Sequence, residues 1–100
     1  MRKPNDLGKL QGLLHEQLGD LASSYGVSSL ALFGSWVRGD QTPGSDLDVL
    51  VEFREPPSLL RFVDLENHLC DLLGVKVDLV MKDALKPRIA QRVRQEAIAV

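Results

Sequence analysis

Two linked segments decide how this chain folds: Gly34-Ser35-Trp36-Val37-Arg38-Gly39 and, five residues on, Ser45-Asp46-Leu47-Asp48-Val49-Leu50-Val51. The second starts by alternating Asp with Leu and Val and stays largely apolar to Phe53, the pattern of a mostly buried strand. The first follows Val27-Ser28-Ser29-Leu30-Ala31-Leu32-Phe33, which reads as another short strand, ended by Gly34. Gly39, Asp40, Thr42, Pro43 and Gly44 make the stretch between them a turn-rich loop.

Working outward, Leu7, Leu10, Leu14, Leu18 and Leu21, with Leu13 beside them, recur in steps of three and four. This predicts a helix stopped by Gly26. Gly8 and Gly12 each weaken its first turns by about 1 kcal/mol relative to Ala, so fraying is expected there. Beyond Pro56-Pro57, Ser58 is a candidate N-cap for a helix carrying Phe62, Leu65, Leu69 and Leu72 and stopped by Gly74. Val75 to Met81 reads as a third strand. A last helix is expected from about Ala84 to the C-terminus, with Ile89, Val93 and Ala97 on one face and Pro87 in its first turn. This order predicts an α/β (α+β) fold, a small mixed sheet of about three strands flanked by helices. Strand order does not follow from it.

The chain of 100 residues is expected to form a single domain over residues 1–100, with room for one core. Twelve Lys and Arg against 14 Asp and Glu leave a formal net charge of -2, which argues against a broad surface for nucleic acid. No apolar stretch approaches the roughly 18–20 residues that span a bilayer. Met1-Arg2-Lys3 is basic, but no signal-peptide core follows before Asn5-Asp6. Cys70 is the one cysteine, so no internal disulfide is expected. The expectation is a soluble cytoplasmic protein with no membrane or nucleic-acid partner.

The chemistry concentrates at three carboxylates. Asp46 and Asp48 are two apart, so on a strand they share a face with Cα atoms about 6.5–7 Å apart. Held close and half-buried they repel, and one takes a raised pKa unless a cation neutralises them. All-oxygen donors point to Mg²⁺ or Mn²⁺. Asp78 is an unusual charge among Val75, Val77, Leu79 and Val80. If its strand lies beside that of Asp48, the three carboxylates suit a two-metal site, with ions about 3.5–4 Å apart, for phosphoryl or nucleotidyl transfer. Gly34 lets the backbone approach a phosphate, and Ser35 adds N–H and hydroxyl donors at a helix start. Arg38, one turn on, is a candidate phosphate ligand.

Blander readings exist for each group. The Asp46–Asp48 pair caps a turn, Asp78 faces solvent from an edge strand, Ser35 is an N-cap, and Arg38 pairs with Asp40 or Glu52. Ser45, counted with the nucleotide site, most simply orders the turn before Asp46. Trp36 reads as packing before base stacking, Cys70 as a buried or half-buried helix residue, and His15 and His68 as surface residues. Lys82, Lys86, Arg88, Arg92 and Arg94 read as a solvated face.

Gly-Ser-x-x-Arg-Gly-x5-Ser-Asp-x-Asp, here Gly34 to Asp48, resembles the signature of the polymerase-β-type nucleotidyltransferase superfamily, and its minimal nucleotidyltransferase (MNT) branch above all. The likeness spans nearly the whole chain and implies the polymerase-β-like fold. It departs from the commonest pattern in Trp36-Val37, where a small residue, often Ala, precedes Arg38. The resemblance implies that Asp46 and Asp48 bind Mg²⁺, that Asp78 is the third carboxylate and helps activate an acceptor hydroxyl, and that Gly34 and Ser35 hold triphosphate oxygens. It further implies an antitoxin that transfers AMP from ATP to a tyrosine hydroxyl of a HEPN-domain toxin. Two rivals are an antitoxin that acts by binding alone and a nucleotidyltransferase for a small molecule.

Overall fold

Alternation of buried and polar positions builds a four-stranded sheet. In the computed structural model, which describes residues 7–100, the strands are β1 (Val27–Phe33), β2 (Leu47–Phe53), β3 (Val77–Met81) and β4 (Ile98–Ala99). The reading of Met1 to Lys3 and Asn5-Asp6 lies outside the described residues. The helices are α1 (Leu7–Tyr25), the one-turn α2 (Ser35–Arg38), α3 (Leu59–Leu73) and α4 (Pro87–Glu96), with a 3₁₀ turn at Lys82–Ala84. The sheet order is β3-β2-β1-β4, with β2 and β3 parallel and β1 antiparallel to both β2 and β4. This is the mixed sheet flanked by helices that the pattern predicts, with one strand more.

The core lies between one sheet face and helices α1 and α3. Leu47, Val49 and Val51 of β2 are fully buried there against Leu10, Leu14, Leu65 and Leu69. The period of two then sends Asp48 and Leu50 to the opposite face. On that face Leu50 and Val93 of α4 are both buried and wall a small cavity. A register shift between Val27 and Ser29 lets Val27 and Leu30 both reach the core despite their odd spacing.

Helix ends follow their local chemistry. The Ser58 hydroxyl accepts from Arg61 N, and Gly74 closes α3 in the left-handed region with its N–H on Cys70 O. The inner face of α3 runs through Leu65, Leu69 and Leu73, with Leu72 only half-buried. Pro87 stands in the first turn of α4, where a missing N–H costs nothing. Glu66 on α3 accepts from Leu79 N at 2.9 Å and so supplements the outer strand.

The C-terminal segment departs from the expected helix. α4 stops at Glu96, so Ala97 is not on its face, and Ile89 is 49% exposed. Ile98 and Ala99 pair instead with Leu32 and Ala31, and Val100 N donates to Leu30 O. Two residues are too few for strand periodicity, and the pairing is decided by an open β1 edge 66 positions upstream. β3 likewise starts at Val77 rather than Val75, and Lys76 O, just before it, accepts the Leu47 N–H at the strand entrance.

Candidate active site

Strand register gathers the carboxylates. Asp48 lies opposite Asp78 across the parallel β2–β3 pair and opposite Phe33 across the β1–β2 pair. In neighbouring strands, register partners share a face and stand about 4.8 Å apart. Asp46 precedes the first residue of β2 and reaches the same end of the sheet. Asp48 and Asp78 thus stand side by side where β2 and β3 begin and β1 ends, with the charge of Asp46 close enough to act on Asp48.

Gly34 follows Phe33 directly and turns the chain into α2 with φ +83° and ψ -157°, a conformation only glycine adopts freely. A Cβ on this residue would fall 1.9 Å from Asp48 Oδ2. The backbone therefore lies directly on the Asp48 carboxylate. Ser35 opens α2, and Gly39 ends it in the left-handed region.

Electrostatics single out Asp48. Its carboxyl is pushed up to about 6, first by burial and then by the negative charges of Asp78 and Asp46, with Arg38 pulling the other way. The folded state therefore holds this proton to a higher pH than the unfolded chain does. That contribution favours the fold at low pH and is lost as pH rises through about 6. Asp78→Asn should lower the Asp48 midpoint and raise the melting temperature of the metal-free protein at pH 7. Carboxyl NMR titration and thermal denaturation in EDTA check both signs. Because burial is the larger cause, the midpoint should remain above that of an ordinary aspartate.

Among the described residues no three His, Cys, Asp or Glu side chains are gathered as a finished metal cage. The donors around Asp48 are nevertheless all oxygen, and their repulsion is what a divalent cation relieves. This set suits Mg²⁺ or Mn²⁺.

The remaining candidates divide. Arg38 is turned to protein carboxylates, with Nε 3.3 Å from Asp40 Oδ2 and Nη1 3.1 Å from Glu96 Oε1. Those hydrogen bonds raise its pKa further, Glu96 more than Asp40. Its predicted partner Glu52 instead meets Ser29 and Lys82. The Ser45 hydroxyl accepts from Thr42 N at 2.9 Å and lies 3.2 Å from Thr42 Oγ1, so it ties the loop before Asp46. Trp36 is 6% exposed within the core, and Val37 packs on the same cluster, so the departure from the usual motif is absorbed by packing. Cys70 is half-buried and receives Val77 N on its sulfur. His15 and His68 are exposed, the first on Val100 O and the second stacked on Tyr25.

Glu96 is the residue that the sequence reading missed. It accepts from Gly34 N at 2.6 Å as well as from Arg38, across 62 positions of sequence. Only the return of the chain through β4 reveals that proximity. A cleft of about 410 Å³ opens beside Asp46, walled by Gln41, Thr42, Pro43 and Lys76. A larger cavity, about 650 Å³ around Arg54, Glu55 and Arg61, lies at the opposite end of the sheet. None of the three carboxylates lines it.

Comparison with known proteins bears on this geometry. The family model for the nucleotidyltransferase domain matches residues 14–100. The chain is 45% identical over 94 residues to the protein adenylyltransferase MntA of Thermococcus cleftensis, covering 94% of this chain and 95% of that protein. A solved structure provisionally described as a minimal nucleotidyltransferase superposes with a TM-score of 0.80 at 37% identity, over 99% of this chain and all of that one. The fold also recurs, at a TM-score of 0.67 and 20% identity, in the solved complex of a tri-AMPylated Shewanella oneidensis HEPN toxin with an MNT antitoxin. That match covers 92% of this chain and 69% of the other. No helix among the described residues is long and apolar enough to cross a membrane.

Proposed function

The chain belongs to the nucleotidyltransferase-domain family, and from that membership we propose that it transfers AMP from ATP to a tyrosine hydroxyl of a HEPN-type toxin, as the antitoxin of the pair. It is a nucleotidyltransferase enzyme. The observation that carries the reading is the seat of Asp48, opposite Asp78 and directly against the glycine turn that leads into Ser35. Full-length similarity to a protein adenylyltransferase supports the choice of a protein acceptor.

In this mechanism Ser35, presented by the turn at Gly34, holds the outgoing phosphates. Asp46 and Asp48 would hold Mg²⁺, with Asp78 sharing it. A metal held there would neutralise phosphate charge and polarise the bond to be broken. Asp78 orients the acceptor hydroxyl and takes its proton. The hydroxyl oxygen forms a bond to the α-phosphorus, the bond from that phosphorus to the bridging oxygen breaks, and pyrophosphate leaves. Selectivity for the acceptor comes from the docked partner.

Incubating the chain with its cognate toxin, ATP and MgCl₂ and weighing both proteins tests this. The toxin should gain about 329 Da per event, the mass of an added AMP group in metal-assisted nucleotidyl transfer. An excess of toxin should also be neutralised. Neutralisation at about one antitoxin per toxin with no mass gain would establish action by binding alone. Mass gain on a small molecule instead would reassign the acceptor.

A further inference from the structure

Helix α2 has four residues, too few to hold their own geometry, because one turn fixes many dihedrals for few hydrogen bonds. Yet this turn presents Ser35 and aligns Gly34 over Asp48. Something outside it must fix its orientation.

Glu96 touches both of its ends. Oε2 accepts from Gly34 N, one residue before α2, at 2.6 Å, and both carboxylate oxygens lie within 3.3 Å of Nη1 of Arg38, the last residue of α2. Its side chain is only 19% exposed. Without it the buried Gly34 N–H would lose its charge-assisted partner.

The placement of Glu96 is itself anchored. Two residues later Ile98 pairs with Leu32, and Val100 N donates to Leu30 O. β4 thus fixes the carboxylate against the end of β1, where Gly34 begins the turn. The location is locally unfavourable, since a negative charge in the last turn of a helix opposes the helix dipole. It also adds a carboxylate near the acidic cluster, and Arg38 offsets that charge. A residue kept against local preference points to a role in the site.

We propose that Glu96 is a positioning residue of the nucleotide site, clamping Gly34 and Arg38 so that α2 presents Ser35 to the triphosphate. Arg38 then acts through Glu96 rather than as a phosphate ligand, and the Gly34 N–H is occupied by protein, leaving Ser35 to meet the phosphates. The inference rests on the nucleotide-binding reading above.

Calorimetric titration with a non-hydrolysable ATP analogue and Mg²⁺ tests it without the partner protein. Glu96→Ala should weaken binding about tenfold, the effect of losing a charge-assisted hydrogen bond. Glu96→Gln, which keeps an acceptor for Gly34 N–H, should restore affinity to within about threefold of the wild type. Circular dichroism confirms that each variant is folded. Unchanged binding by folded Glu96→Ala overturns the proposal. Tighter binding also overturns it, because the carboxylate would then be competing with phosphate. If Glu96→Ala does not fold, Glu96→Asp replaces it: the shorter side chain cannot span both partners, and wild-type affinity there is the overturning result. A wild type that binds no analogue refutes the nucleotide reading. The clamp is then decided by hydrogen exchange at the Gly34 amide, which should quicken in Glu96→Ala and Glu96→Asp; equal exchange refutes the clamp.

Discussion

Asp48→Asn should lower AMP transfer to the partner by more than about a thousandfold, the scale on which preorganised electrostatics act in such sites. The side chain keeps its size, so the contact with Gly34 and the pairing of β2 with β3 persist. What disappears is the negative charge closest to both Asp78 and the glycine turn. With it go the cost of burying a charge and the repulsion from Asp78 and Asp46, which push the Asp48 carboxyl up to about 6, burial more than repulsion. The metal-free variant should therefore melt no lower than the wild type at pH 7. Loss of transfer with an unchanged or raised melting temperature separates catalysis from folding. Full transfer by this variant would remove Asp48 from the mechanism.

The second large effect is expected at Gly34. Alanine there meets two penalties, a backbone angle of φ +83° and a Cβ 1.9 Å from Asp48 Oδ2. Strain of this kind and overpacking each cost roughly 1–3 kcal/mol, so Gly34→Ala should destabilise by about 2–6 kcal/mol. The clash relaxes by moving the Asp48 carboxylate or the turn, and either movement should reduce transfer by more than about a hundredfold. Gly39 is the control. It has a similar angle, φ +82°, but nothing within 4 Å of an added Cβ. Gly39→Ala should cost only about 1 kcal/mol from backbone strain and leave transfer within severalfold. Urea denaturation and mass-resolved transfer rates compare the two. Equal effects at both positions would remove close packing on Asp48 as the cause.

Much of this architecture is legible in local pattern because each element carries its own signal. The spans Val27–Phe33 and Leu47–Phe53 follow from apolar runs bounded by glycine and proline. Ser58 and Gly74 frame α3 through hydrogen bonds made within a few residues, which short-range chemistry specifies. The C-terminal strand has no such signal. Glu96-Ala97-Ile98-Ala99 suits a helix as well as a strand, and the unpaired edge of β1 decides between them. The candidate site shows the same division. Asp46 and Asp48 stand out by their spacing, whereas Arg38 reads as a phosphate ligand or a partner of Asp40 or Glu52 until Glu96 arrives from the far end of the chain.

Residues Gly34 to Asp48 determine by themselves a glycine turn and a pair of carboxylates beside a buried strand, because those features depend on near neighbours and side-chain period. Tertiary structure alone decides that Asp78 stands opposite Asp48, since parallel pairing requires the intervening α3 to return the chain. It alone decides that Glu96 rather than Glu52 meets Arg38. Contacts between residues 30 to 62 positions apart depend on how the sheet closes, and no local pattern encodes that closure.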